Sequence, residues 1–225
     1  MTTKRPGSGS MDPMTASGTS KTLRGSTGIT LRAFRFNAAA NHVMFAGRRG
    51  RVYDRIVVLS GVQPGDSVLD VGSSSGYLTF RLAAAAGPSG RVTGVDPSQS
   101  AIAHARRHAR PGLVFTVGVA QDLGLPDASF DVVTCTLAMH HIPARQRPAA
   151  FAEMYRVTKP GGRLLTADMA PLLHSGGRRG RRQRADAGAG PLRDLAAAAG
   201  YQVESAGKLP LLRYIVAVRP RESRR

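Results

Sequence analysis

Tryptophan is absent from this chain of 225 residues, cysteine occurs once, and aromatic residues make up only 5%. The lone Cys135 excludes a disulfide framework and any metal or iron–sulfur site built from several cysteines. It also suits a reducing compartment, and the cytoplasm is the expected location. So few aromatics supply no stacking platform for single-stranded nucleic acid. No apolar run approaches the roughly 18–20 residues that cross a bilayer. Acids are scarce as well: 14 Asp and Glu stand against 32 Lys and Arg, a formal charge of +18. Lysine is nearly missing from the basic set, in which 28 of 32 are Arg. Collagen-like, coiled-coil and disulfide-scaffold classes fail on composition. What remains is a basic globular chain, long enough for one domain of roughly 150–200 residues plus extra segments.

The basic excess is uneven. Residues 1–53 hold nine basic residues and one acid, Asp12, and residues 174–225 hold twelve basic and four acidic. Between them, residues 54–173 balance eleven basic against nine acidic residues. Arg beside so much Ala and Gly reads either as a basic surface or as the imprint of a G+C-rich genome. Net charge alone speaks only to non-specific attraction.

Residues 1–28 are rich in Ser, Thr and Gly and read as a disordered basic tail. Residues 29–60 read as mostly helical, with Val52, Ile56, Val57 and Leu59 near helical spacing and Gly61 as a C-cap. From there apolar runs alternate with helical patterns. Strands are expected at Ser67–Val71, Arg91–Val95, Leu113–Val117, Phe130–Thr134 and Arg163–Asp168. Helices are expected over 76–86, from Pro97 or Ser98 to about Arg110, over 145–157 and over 191–199. Five Arg crowd the stretch from Arg178 to Arg184, inside a loop at 174–190. Two final strands, Tyr201–Ser205 and Leu211–Val218, precede a short basic tail at 221–225. This alternation predicts an α/β fold, a mostly parallel sheet with helices on both faces. Ligands of such sheets sit beyond the carboxyl ends of the strands.

Two motifs lie there. Val68-Leu69-Asp70-Val71-Gly72-Ser73-Ser74-Ser75-Gly76 joins a strand to a helix through small residues. Small residues let backbone approach a ligand, and a helix N-terminus offers free N–H groups. A dinucleotide fingerprint needs Gly where Tyr77 stands, and a phosphate-binding P-loop needs a Lys; both are absent. Asp70 reads either as attracting a cationic ligand group or as merely bonding loop amides. In the second motif, Val92-Thr93-Gly94-Val95-Asp96, an acid ends a strand at the spacing where nucleotide folds hold ribose hydroxyls. One carboxylate accepts from two hydroxyls, a charge-assisted pair.

With LGLPDASFDVV, HHIP and RVTKPGGRLLTAD, these motifs resemble the class I S-adenosylmethionine (SAM) dependent methyltransferases. The small-molecule branch that includes the ubiquinone/menaquinone biosynthesis enzymes is the nearest in pattern. The resemblance runs from about Asp54 to Asp168 and more weakly to Val218. It implies a Rossmann-like seven-stranded sheet with the last strand antiparallel, over residues 61–220, and a substrate lid among the helices of 29–60. It implies a SAM cofactor and methyl transfer to a small organic acceptor. Asp70, Gly72, Ser73, Ser74 and Gly76 would surround the methionine part of SAM. Asp96 would hold the ribose, with Pro97 against the adenine and Val119, Ala120 and Gln121 flanking it. Thr136 and Leu137 would line the path to the acceptor. Ser129-Phe130-Asp131 and Lys159-Pro160-Gly161-Gly162 would be structural.

Two residues depart from the family pattern. Ser74 stands where relatives usually have Gly, and Val119 where they usually carry the Asp that bonds the adenine amine. Asp122 or a backbone carbonyl is then the substitute to look for. His140 and His141, where the acceptor would sit, are candidate general bases or loop-orienting residues. His104 and His108 are four apart but have no evident third metal ligand, so they read as a solvated helix face. Cys135 reads as core. An RNA or DNA methyltransferase would carry other residues after the fourth strand than Cys135-Thr136-Leu137-Ala138-Met139-His140-His141. That reading rests on charge alone, so nucleic acid is not the expected partner. A non-catalytic SAM-fold binding module is the third reading. Transient contact with a membrane surface stays open, as does the oligomeric state.

Overall fold

The computed structural model describes residues 48–169 and 189–221. The N-terminal tail, residues 29–47, most of the Arg-rich loop and the end of the C-terminal tail lie outside the described residues.

The chain enters through α1 (Arg49–Ser60) and then alternates β1 (Ser67–Val71), α2 (Tyr77–Ala86), β2 (Arg91–Asp96), α3 (Gln99–Arg106) and β3 (Leu113–Val117). A second half follows: β4 (Phe130–Thr136), α4 (Arg147–Val157), β5 (Thr158–Met169), α5 (Ala189–Ala198), β6 (Gln202–Leu209) and β7 (Leu212–Val218). The seven strands form one sheet in the order β3-β2-β1-β4-β5-β7-β6. Pairs among β1–β5 are parallel, and β7 runs antiparallel to both β5 and β6. This is the expected sheet, with the last strand reversed.

Both faces of the central strands are covered, so those strands read as continuous apolar runs rather than alternating ones. Val68 and Val132 pack with Ile56, Leu82 and Ile102 of α1, α2 and α3. Their neighbours Leu69 and Val133 turn to the other face, onto Phe151, Met154 and Ala196 of α4 and α5. Cys135 is free and buried in this second layer, where burial pushes its thiol pKa well up; it is a core residue.

Several boundaries differ from expectation; β6, for one, runs from Gln202 to Leu209 rather than from Tyr201 to Ser205. α3 stops at Arg106, because the amides of His108 and Ala109 bond carbonyls three residues back, those of Ala105 and Arg106. That is turn geometry, which a helical pattern does not distinguish from a last helical turn. β4 runs on through Cys135 and Thr136, which pair with Thr166 and Ala167. The expected turn Lys159–Gly162 is a bulge within β5, since the pairing jumps from Phe130↔Thr158 to Val132↔Arg163.

Candidate functional site

Strand order reverses about β1, which has β2 on one side and β4 on the other. Ligands of open α/β sheets bind at such a switch point. A cleft of about 810 Å³ opens there, at the carboxyl ends of β1 to β4.

The loop after β1 forms its floor. The amides of Gly72 and Ser73 both donate to Val95 O, at 2.8 and 3.0 Å, which ties the loop to β2. Gly72 has φ +77°, and a Cβ there would collide with the Ala138 Cβ. Gly76 (φ +87°) caps α2, and its Cβ would meet Phe115 and Phe80 at 2.8 Å. Gly76 thus lies behind the cleft wall, not in it; the close approach that demands Gly there is between aromatic side chains and backbone. Ser74 also sits in the left-handed region, at φ +50°, and its amide donates to Asp96 Oδ2 at 2.9 Å. Gly suits that conformation better than Ser does.

Two carboxylates face this floor. Asp70 is buried, and its oxygens accept from Thr79 Oγ1 at 2.6 Å and Thr134 Oγ1 at 2.9 Å. Its partners are threonine hydroxyls from α2 and β4 rather than loop amides. Burial pushes its pKa up to about 6, against the two hydroxyl bonds. Asp96 is fixed by two amides, Ser74 N and Ser98 N at 2.8 Å. Burial raises its pKa too. Each of its oxygens keeps a second acceptor position.

Pro97, Val119, Ala120 and Gln121 line the β2–β3 side of the cleft. Val119 is 44% exposed and pairs with Asp122 in a tight turn. Asp122 itself is exposed and outside the cleft lining, so it does not stand in for the acid missing at Val119. The side chain that joins Gln121 is Gln146, at 2.7 Å across the cleft mouth.

Thr136 and Leu137 line the β4 side, with Leu137 at φ +55° and its amide bonded to Ala167 O at 2.8 Å. The two histidines part company beyond them. His140 turns away from the cleft wall: its Nδ1 lies 2.7 Å from Asp168 Oδ1, and its amide donates to Asp168 Oδ2 at 2.9 Å. Burial opposes the Asp168 charge, but the His140 bonds outweigh it and hold that carboxyl below its usual range. His141 does line the cleft, with its ring 3.9 Å from that of His140. Desolvation and the His140 neighbour lower its pKa, against the pull of Asp168 and Asp96. Neutral imidazole at neutral pH follows, which is a proton acceptor.

Arg49, Tyr53, Tyr77 and Arg145 also line the cleft and were not among the residues expected there. Arg49 lies over Tyr77, its Cζ 3.7 Å from the ring centroid, while Arg81 lies over the same ring at 4.0 Å. Tyr53 meets Tyr77 edge-on at 4.9 Å. Nothing in the spacing of α1 announces this; a cation stacked on an aromatic two elements away is a tertiary fact. Arg145 and Gln146 belong to a 3₁₀ turn before α4, expected as the start of that helix.

Among the described residues, five buried side-chain polar atoms have no hydrogen-bond partner, and three of them, Ser73 Oγ, Thr136 Oγ1 and Arg49 Nε, belong to residues of this cleft. Buried polar groups are nearly always bonded, so such a concentration marks a place built for a polar ligand. Two hydroxyls, a cation and an oriented carboxylate suit an amino acid joined to a ribose, the outline of SAM. No group of three His, Cys, Asp or Glu able to hold a metal occurs among the described residues. His104 lies 3.2 Å from an Arg107 nitrogen, and His108 Nδ1 bonds the His104 carbonyl.

Comparison with known proteins agrees with this geometry. Residues 68–162 match the methyltransferase domain family. The chain is 37% identical to the demethylmenaquinone methyltransferase of Symbiobacterium thermophilum over 132 residues, 56% of this chain and 52% of that protein. It is 32% identical to the ubiquinone/menaquinone biosynthesis C-methyltransferase UbiE of Psychromonas ingrahamii over 166 residues, 68% of this chain and 65% of that one. The chain thus spans between half and two thirds of the length of the curated relatives it matches. Among solved structures, a SAM-dependent methyltransferase from Aquifex aeolicus superposes with a TM-score of 0.64 at 18% identity, over 74% of this chain and 89% of that one. That likeness is one of fold. The fold read from the motifs holds, and residues 68–162 match the methyltransferase domain that those motifs resemble.

Proposed function

We propose that this protein transfers a methyl group from SAM to a small organic acceptor. The observation that carries the reading is Asp96, a carboxylate at the strand-order reversal, aimed by two backbone amides and standing beside unpartnered buried hydroxyls. Its two oxygens suit the ribose diol. Ser73 and Thr136 face the methionine portion, and Arg49, stacked on Tyr77, supplies a cation for the carboxylate there. Asp70 complements the amino group. The relatives named above, with acceptors in quinone biosynthesis, support a small acceptor.

SAM supplies an electrophilic methyl on a sulfonium, and the chain's task is alignment. Leu137 and Ala138 wall the path on the β4 side. His141 takes the acceptor proton where the acceptor is a hydroxyl or amine. His140, held by Asp168, packs against His141 and positions its ring. Most of the cleft comes from the nearly neutral centre of the chain, and Arg49 and Tyr53 come to it from the basic N-terminal segment. No described helix is long and apolar enough to cross a membrane.

The test is a titration with S-adenosylhomocysteine (SAH), followed by incubation of the protein and labelled SAM with a protein-free, nucleic-acid-free metabolite extract. Binding below about 100 μM and label in a small-molecule product are expected. No SAH binding at millimolar ligand sinks the enzyme reading and favours a non-catalytic module. SAH binding with label passing only to added RNA sinks the small-acceptor reading.

A further inference from the structure

We infer that Gln121 and Gln146 together read the base of the cofactor, in place of the acid that Val119 lacks. This inference rests on the proposed SAM site. A nucleoside held at Asp96 by its ribose extends its base away from the Gly72 loop, toward β3. The walls on that side are Pro97, Ala101, Val119 and Ala120, all apolar. Such walls hold an aromatic base without choosing among bases; the choice needs hydrogen bonds.

The carboxylate nearest in sequence, Asp122, is outside the lining. Two amides supply the polar edge instead. Gln121 Nε2 donates to Gln146 Oε1 at 2.7 Å, and both residues line the cleft and are partly buried. An amide–amide bond uses one N–H and one carbonyl oxygen. It leaves Gln121 its carbonyl oxygen and second N–H, and Gln146 its amine and the second acceptor position of its carbonyl, on side chains that the pairing holds. The pair therefore offers both an acceptor and a donor, the two kinds of group that the exocyclic amine and the adjacent ring nitrogen of adenine require. The bond also spans from the segment after β3 to the 3₁₀ turn before α4, so the reading edge is held by both halves of the sheet. A single flexible glutamine would have to be ordered on binding; this pair is ordered beforehand.

The experiment compares two ligands in each protein by calorimetry: SAH, and the SAH analogue that carries hydrogen in place of the 6-amino group of the base. The wild type should bind SAH about tenfold more tightly than the analogue, the worth of one well-made hydrogen bond. Gln121→Ala should lower SAH affinity about tenfold and close the gap between the ligands to within about twofold. Gln146→Ala, which leaves Gln121 unanchored, should narrow the gap without closing it. Adding Val119→Asp to Gln121→Ala should reopen it. The gap is measured within one protein, so a general loss of stability does not mimic the result. A gap that Gln121→Ala leaves unchanged overturns the inference while the SAM site stands. Failure of the wild type to bind SAH overturns the proposed function and this inference with it.

Discussion

Asp70 and Asp131 sit on neighbouring parallel strands at opposite ends of the sheet, and they are held in opposite ways. At the amino end of β4, both Asp131 oxygens accept from Lys159 Nζ, at 2.8 and 2.7 Å, and Oδ2 also accepts from Ser67 N at 3.0 Å. Burial works against that charge, but the lysine and the amide outweigh it, and the carboxyl stays below its usual range. At the carboxyl end of β1, Asp70 meets only two neutral hydroxyls, and its pKa rises to about 6. At the amino end Lys159 and Ser67 close the Asp131 charge and Glu204 meets Arg163, whose Nε is without a partner among the described residues. Among the described residues, the carboxyl end leaves Ser73 and Thr136 without partners, and it holds Asp70 in a costly state. Sites that bind polar ligands leave hydroxyls and carboxylates unsatisfied in this way.

The contrast breaks most visibly at the histidines. If the carboxyl end does the chemistry, His141→Gln should lower kcat by about 10²-fold or more, within the range for a general base. The wild-type rate should fall on the acid side with an inflection below the ordinary imidazole value of about 6.5, because burial and His140 lower the pKa of His141. That limb should vanish in His141→Gln. An acceptor labelled in the metabolite experiment serves for the assay, and an unchanged kcat and profile would remove His141 from proton transfer.

Asp70→Asn sharpens the comparison through stability. The folded pKa of Asp70, about 6, lies above its unfolded value of about 3.9. The folded state therefore binds the extra proton, so Asp70 makes the protein less stable as pH rises from about 4 to 6. Asn removes that penalty while keeping partners for Thr79 and Thr134. Urea unfolding at pH 7.5 should show Asp70→Asn more stable by about 1–3 kcal/mol, with a flatter pH dependence between 4 and 6. Lower stability at pH 7.5 would mean that Asp70 is ionised without cost.

Ser74→Gly carries the smallest effect. Leaving the left-handed region relieves about 1 kcal/mol or more, and the added freedom of Gly in the unfolded chain takes back about 0.5–1 kcal/mol. A net gain under about 1 kcal/mol in thermal unfolding is expected, with the Ser74 amide bond to Asp96 kept. A clear loss would show that the Ser74 side chain makes a contact of its own.

Much of this site was legible before the fold. Gly72 and Asp96 announce themselves because turn conformation and strand-end acids leave local traces. Asp131 and Lys159 were each read as structural, and the fold shows them to be partners. The division of labour between His140 and His141 was not legible, since it depends on Asp168, twenty-eight residues away at the end of β5. Arg49 and Gln146 were missed for the same reason: each becomes part of the site only when two separate elements meet over the cleft. At Gly76 the fold adds a reason that the motif did not show, since a Cβ there would meet Phe80 and Phe115.

The most direct measurement sets the two ends against each other: SAH affinity and unfolding free energy for Asp96→Ala and Asp131→Ala in parallel. Asp96→Ala should weaken SAH binding by about 30-fold or more, the worth of charge-assisted bonds to a diol. Asp131→Ala should leave that affinity within about twofold of wild type while lowering stability by about 1 kcal/mol, the pair being partly exposed. Equal SAH affinity in the two variants would contradict the account.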